Sequence, residues 1–347
     1  MSYRVRLEPS GQTFDVVMGE TLLAAALRAH IALAHDCQLG GCGTCRIQLR
    51  EGCVSYPEFP LALTPEEESE GYALACQARP ASNLVISAPA RDDLPQAQRH
   101  RAVVRVVRPL GPDVVHLVLD IPGDTAVRYQ PGQHMNVIMP DGGTRSFSMA
   151  SRPNGSQVDF HVRRVAGGRF TGRQLAGLKA GDELEVELPL GNFQYHRRDE
   201  RPLLMVATGT GLAPIKAMLE ALMDDPDCPP VSLYWGARTA ADLYLDAAIR
   251  AWGARLFEFR YVPVLSRPTL GWAGRCGYVQ DAVTVDFGEL SEYAIYLCGS
   301  PAMIADAKQA FFARGAAVTQ TYSEGFTFQA AGPGGPAMDT RQETQGG

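Results

Sequence analysis

The sequence predicts a multidomain chain: a small α+β unit of the β-grasp type, then an antiparallel β-barrel, then a doubly wound α/β unit. Three observations predict it. Four cysteines, Cys37, Cys42, Cys45 and Cys76, gather around one Gly-rich loop near the N-terminus. Between residues 101 and 197, short apolar strands are broken by Gly and Pro about every ten residues, the pattern of a small barrel. After Arg201, apolar strands alternate with helical stretches, which implies a parallel sheet covered on both faces.

In the first unit, residues 3–7 and 13–17 read as two strands around Gly11. Glu20 and Thr21 open a helix, LLAAALRAHI, with one apolar face. The run CQLGGCGTC over residues 37–45 follows, a C-x4-C-x2-C triplet with Cys76 as a distant fourth member. That is the plant-type ferredoxin spacing for a 2Fe–2S cluster, whereas zinc ribbons favour two short C-x2-C pairs. Gly40, Gly41 and Gly43 let the backbone wrap closely and aim its amides at the sulfurs. Four buried structural thiols are the alternative, and they leave these glycines unexplained. Strands at Arg46–Arg50 and 83–88 complete a unit over residues 1–92, with 93–100 as a polar, Pro-bearing linker.

A chain of 347 residues is too long for this unit alone, and 46% apolar residues is ordinary for a globular protein. No apolar run approaches the roughly 20 residues of a membrane helix. The first residues alternate like a strand and lack an apolar signal region, so a cytoplasmic protein is expected. Cys53, Cys228, Cys276 and Cys298 are scattered, without a disulfide framework. A net charge of −6 argues against nucleic acid. Residues 1–92 hold eleven Asp or Glu against seven Arg and no Lys. Much of that acid lies in Glu66, Glu67, Glu68 and Glu70, after Thr64 and Pro65. The run is either a solvated helix start or an acidic docking face for a basic partner.

The barrel segment, 101–197, carries Arg145, Ser146, Phe147 and Ser148 after a turn at Asp141–Gly143. Gly167 and Gly168 then precede Arg169, Phe170 and Thr171, at what reads as a helix start, QLAGL. Amides at such a start bind anions, and a fixed guanidinium such as Arg145 suits a pyrophosphate. A surface cation at Arg145 and a core residue at Phe147 are the bland alternative. In the last unit, 198–330, the turn Thr208-Gly209-Thr210-Gly211-Leu212-Ala213-Pro214 joins a strand to a helix, where a dinucleotide pyrophosphate belongs. Cys298, Gly299 and Ser300 end a later strand. Residues 331–347 are poor in apolar side chains and are expected to be disordered.

With these motifs together, the chain resembles the ferredoxin–NADP reductase superfamily. The resemblance implies that Arg145 and Thr171 hold an FAD pyrophosphate. It implies that Ser148 sits near flavin N5 and that Phe147, where the family more often has Tyr, packs on the flavin. His161, Val162 and Arg163 match the strand that meets the phosphoribityl part. The turn at 208–214 is similar to the family's G-T-G-x-A-P, and Cys298 is expected beside the nicotinamide, although a small buried residue is the alternative. Phe326, in the run Tyr322–Phe326, is the candidate for covering the flavin face, with plain core packing as its alternative. Ser148, Cys298 and Phe326 are therefore the expected catalytic positions. An acid at Asp242 suits a ribose diol and repels a 2′-phosphate, while Arg238 suits that phosphate; NADH is favoured over NADPH.

The seven histidines are dispersed, and no Ser-His-Asp or paired-carboxylate arrangement is evident. A flavin joins a two-electron nicotinamide to a one-electron cluster because it handles one or two electrons. The order of units resembles the single-chain reductase components of bacterial oxygenases, above all those of Rieske aromatic-ring dioxygenases of the terephthalate 1,2-dioxygenase type. GTRSFSMAS, HVRRVAGGRF, LYWGAR and YLCGSPA carry that likeness. The expected partners are a terminal oxygenase and a nicotinamide dinucleotide, with a monomer as the default state. Reductases of di-iron hydroxylases and of CDP-sugar deoxygenation share the architecture. A non-catalytic redox sensor is the reading from another class, and the intact turns at 208–214 and 298–301 speak against it.

Overall fold

Alternation sets the first strand, Ser2–Glu8, of the computed structural model: Val5 and Leu7 turn inward while Arg4 and Arg6 face water. The structure describes residues 2–88, 97–123 and 127–327. Residues 93–96 of the linker and the whole tail, 331–347, lie outside the described residues. The first strand pairs antiparallel with Thr13–Val17 and parallel with Leu84–Ser87; Arg46–Glu51 and Tyr72–Leu74 complete a five-stranded sheet. The helix Leu22–Arg28 is capped by the Thr21 hydroxyl and packs Leu22, Leu23, Ala25 and Ala26 onto this sheet.

The second sheet has six antiparallel strands in the order Thr144–Ser148, His134–Ile138, Glu183–Leu190, Gln98–Pro109, Val114–Asp120, Gln157–Arg163. A bridge between Met149 and Phe160 brings its two edges together. Its core holds Met135, Val137, Phe160, Val162 and Val186. The strand from Gln98 begins inside the stretch read as linker. Its early residues, Gln98 to Arg101, pair with Glu185–Leu188 despite their polarity, because they lie on a sheet whose other face carries the core.

Six parallel strands make the third sheet, in the order Arg275–Cys276, Phe259–Leu265, Val231–Ala237, Leu203–Thr208, Ala294–Gly299, Thr321–Gly325. One core lies on the face covered by the helix Leu212–Leu222, the other on the face of Val279–Asp286 and Pro301–Phe312. From Leu203–Thr208 the chain winds one way, and it later resumes on the opposite side at Ala294–Gly299. The crevice between those two strands is the switch point at which open α/β sheets bind ligands.

The acidic run divides at Glu67. Thr64 and Glu67 form a capping box at the start of the helix Pro65–Ser69, and Glu67 is buried while Glu66, Glu68 and Glu70 are exposed. Glu67 cannot belong to a solvent-facing docking surface, because its carboxylate is enclosed by Arg46 and Lys308.

Candidate active site

The cysteine loop is held by its own backbone. Gly40 and Gly43 adopt φ of +72° and +84°, a conformation that side chains rarely take, and the loop coils so that Cys37, Cys42, Cys45 and Cys76 are all buried. The thiols lie two and two. Cys42 hydrogen-bonds Cys37 and Cys45 hydrogen-bonds Cys76, and each of these bonds pulls the accepting sulfur below the usual thiol range. Backbone amides also donate, that of Leu39 to Sγ of Cys37 at 3.3 Å and that of Gly40 to Cys76. Among the described residues, no three His, Cys, Asp or Glu side chains converge on a single ion position. Two pairs of thiols with amide donors suit a cluster of two irons better than one metal ion.

On the barrel, Arg145 and Ser148 belong to the strand Thr144–Ser148. The Arg145 guanidinium is pulled below its ordinary range by burial and by the nearby Arg169. Arg169 itself pairs with Asp141. Two guanidinia held close beside the Gly167–Gly168 turn favour an anion there. A Cβ at Gly168 would lie 2.4 Å from the Thr171 hydroxyl, so the turn is closed tightly around that side chain. Residues Arg169–Gln174 form a wide helical turn that begins five residues before the helix expected at QLAGL. Phe147 packs on Phe170, ring centroids 5.2 Å apart. Ser146 hydrogen-bonds Asn136 at 2.8 Å and also Asp36, the neighbour of Cys37.

The nicotinamide-type turns meet at the switch point. Thr208–Gly211 follows one strand and Cys298–Ser300 ends its neighbour; the Ser300 amide donates to the Thr208 hydroxyl at 3.0 Å. A Cβ at Gly211 would stand 2.2 Å from the carbonyl oxygen of Cys298, so only glycine allows this approach. Trp235 donates to the Gly209 carbonyl, and Pro214 is buried in the first turn of the following helix. Cys298 is fully buried, which pushes its thiol well above the usual range, with Glu324 adding to the effect. Phe326 donates its amide to Gly299 and packs against the core beneath.

One group escaped the sequence reading. Glu324 pairs in the ladder with Cys298, and its Oε1 lies 3.2 Å from Nδ1 of His134 on the barrel. His134 is in turn the cross-strand partner of Ser148. Ser148, His134, Glu324 and Cys298 thus form a line across the seam between barrel and parallel sheet. Oε2 of Glu324 has no hydrogen-bond partner among the described residues. A buried carboxylate oxygen aimed into this seam fits a polar ring bound there. An acid alone on a buried edge strand was the available signal.

The domain models that match this chain agree with the geometry: a 2Fe-2S iron-sulfur cluster binding domain over residues 5–81, an oxidoreductase FAD-binding domain over 102–195, and an oxidoreductase NAD-binding domain over 205–309. The chain is 34% identical over 94% of its length to a CDP-6-deoxy-L-threo-D-glycero-4-hexulose-3-dehydrase reductase of Yersinia pestis, covering 99% of that protein. It is 37% identical to the phenol 2-monooxygenase reductase component DmpP of a Pseudomonas species, over 88% of each chain. Reductase component 1 of a Comamonas terephthalate 1,2-dioxygenase is 34% identical, over 89% of this chain and 93% of that one. The Amycolatopsis cytochrome P450 reductase GcoB superposes with a TM-score of 0.70 at 32% identity, over 93% of this chain and 98% of that one. The chain belongs to the ferredoxin–NADP reductase superfamily.

As a superfamily member it carries domains for a 2Fe–2S cluster, FAD and NAD(P)H. Its own residues refine two expectations. The strand expected at the phosphoribityl group divides by face: Val162 sits in the barrel core, so only its backbone can reach a cofactor. His161 faces the parallel-sheet unit instead, 3.2 Å from the Tyr244 hydroxyl. Arg163 is held by Asp113 at 2.9 Å, and Asp113 also takes Arg238 at 3.1 Å. Asp242 caps the turn after Thr239 through both the amide and the hydroxyl, each at 2.9 Å. Arg238 therefore stands between two carboxylates.

Proposed function

We propose that this chain is the NAD(P)H-dependent electron-transfer component of an oxygenase system, with NADH as its preferred donor. FAD, when bound, would supply the link between a two-electron nicotinamide donor and a one-electron 2Fe–2S cluster. Cys37, Cys42, Cys45 and Cys76 would hold the 2Fe–2S cluster through their thiolates. Arg145, with Gly167, Gly168 and Thr171, binds the FAD pyrophosphate, and Ser146 and Phe147 border the flavin ring. Arg163 and the ring of His161 line the seam near it. Thr208, Gly209, Thr210, Gly211 and Pro214 form the turn that receives the dinucleotide, with Gly299 and Ser300 opposite. Ser148, Cys298 and Glu324 order the reacting rings and exclude water, and Phe326 backs them. Asp242 and the neutralised Arg238 favour a ribose diol over a 2′-phosphate.

The observation that carries this reading is the strand Thr321–Gly325. Its Glu324 faces the Cys298 seam while the amide of Gly325 donates to the carbonyl of Cys42, 3.0 Å away. Hydride site and cluster loop thus share one strand. We read the three sheets as a β-grasp ferredoxin unit (1–92), a flavin barrel (101–197) and a doubly wound nucleotide unit (198–330), acting as a cytoplasmic monomer. The acceptor we propose is a terminal aromatic-ring oxygenase of the Rieske type. The test is NADH-driven reduction of ferricyanide and of cytochrome c by cluster-loaded protein; absence of both overturns the enzyme reading. Reconstituted turnover with Rieske and di-iron oxygenases separates the acceptors, and coupling to a di-iron hydroxylase alone overturns the Rieske assignment.

A further inference from the structure

A lysine and a glutamate, 241 positions apart in sequence, meet in complete burial between the iron–sulfur unit and the nucleotide unit. Nζ of Lys308 lies 2.9 and 3.1 Å from the two carboxylate oxygens of Glu67 and 3.2 Å from the carbonyl of Ala62. The side chains are 1% and 0% exposed, so water offers neither of them a substitute partner. Arg46 adds a hydrogen bond to Glu67 at 2.6 Å and reaches the carbonyl of Thr321 at 3.3 Å. The Thr64 amide donates to the remaining side of the carboxylate at 2.9 Å. Every donor of the ammonium and both oxygens of the carboxylate are used, the condition under which a buried pair is tolerated.

The joint also has a direction. Arg46 follows Cys45, and Ala62 donates its amide to the carbonyl of Gly40, so both flanks of the cysteine loop are tied to it. On the other side, Thr321 begins the strand whose Gly325 meets Cys42. We propose that Glu67, Lys308 and Arg46 form an interdomain joint that holds the cysteine loop in one position against the Cys298–Glu324 seam. These are positioning residues. The run that reads as an acidic docking face thus contains an internal fastening at Glu67, and only Glu66, Glu68 and Glu70 remain on the surface. A partner chain is not what Glu67 recognises; Lys308 of the same chain is.

The test uses the full-length, cofactor-loaded protein. Lys308→Met removes the cation and leaves Glu67 bonded to Arg46 and Thr64. Glu67→Gln keeps a side chain able to serve the capping box but leaves Lys308 buried without its anion. Either change should speed amide hydrogen exchange at Thr321–Gly325 and widen the radius of gyration in solution scattering. The double variant, which removes both halves of the fully enclosed Lys308–Glu67 pair and leaves only the partly exposed Arg46 without its carboxylate, should move both readouts back toward wild type, while Glu66→Gln should change neither. These readouts do not depend on the proposed function. Resting on that function, cytochrome c reduction should fall by up to about a hundredfold in the single variants, as a misplacement of about 1 Å can cost, with ferricyanide reduction held. Unchanged exchange and scattering in both single variants would overturn the joint. So would an equal loss of both reductase activities with a lowered melting temperature and no recovery in the double variant, which is what a merely structural role produces.

Discussion

The amide of Gly325 donates a 3.0 Å hydrogen bond to the carbonyl of Cys42. One residue earlier on the same strand, Glu324 pairs with Cys298 and meets His134. The strand Thr321–Gly325 thereby meets the cysteine loop and the Cys298 seam at adjacent residues.

Glu324→Gln preserves the shape of the side chain and removes its charge. Placed at 3.2 Å from His134 and beside Cys298, it should slow NADH-driven flavin reduction by about a hundredfold, the lower end for loss of one aimed polar group. FAD content and cluster absorbance should stay as in wild type. Stopped-flow bleaching of the flavin reads the rate; an unaltered rate would remove Glu324 from the hydride site.

Asp113 engages Arg163 and Arg238 together. Asp113→Asn should leave Arg238 with a weaker partner and freer to meet a 2′-phosphate. The ratio of kcat/KM for NADPH to that for NADH should then rise about tenfold, equivalent to roughly 1.4 kcal/mol. A ratio that stays put or falls would mean that Arg238 does not face the adenosine ribose.

Burial, reinforced by Lys216 and His116, pushes the His161 imidazole down to about 3. In the unfolded chain the same ring titrates near its ordinary value of about 6.5. Between these values the unfolded chain binds a proton that the folded one refuses. Stability is therefore whole above about pH 6.5 and falls by about 1.4 kcal/mol per pH unit below it, down to the folded value. Urea midpoints at pH 7, 6, 5 and 4 should show a shallower acid loss in His161→Gln than in wild type. Parallel profiles for the two proteins would count against a neutral, buried His161.

Gly211 stands where a Cβ would come within 2.2 Å of the Cys298 carbonyl, a backbone atom that cannot step aside. Gly211→Ala should cost about 1–3 kcal/mol, as overpacking does, and raise the KM for NADH. Gly177→Ala, which meets nothing within 4 Å, is the matched control and should melt with wild type. Equal melting temperatures for all three would show that the crevice can widen at little cost.

Local signals were readable because they are local. The spacing of Cys37, Cys42 and Cys45 with intervening glycines specifies a tight loop whatever surrounds it. The Thr64 capping box and the apolar strands of the parallel sheet follow from propensity and periodicity. Val162 shares its run with His161 and Arg163, yet alternation along the strand turns it into the barrel core. The strand start at Gln98 was hidden because its first residues are polar. The charged side chains were harder still. In the run Glu66–Glu70, spacing from Thr64 marks the second glutamate as the capping residue, but its burial against a cation follows only once Lys308 is in place.

Sequence by itself determined the order of three units, the glycine-rich cysteine loop at 37–45, and the turns at 145–148, 167–171, 208–214 and 298–300, since each depends on residues that are neighbours in the chain. Tertiary structure alone decided which charges are spent inside the molecule: Glu67 on Lys308, Asp113 on Arg163 and Arg238, Glu324 on His134. The reason is physical. A backbone turn is set by short-range sterics, whereas burying a charge is tolerated only when a partner arrives from elsewhere in the chain, and that partner is known only once the chain has folded.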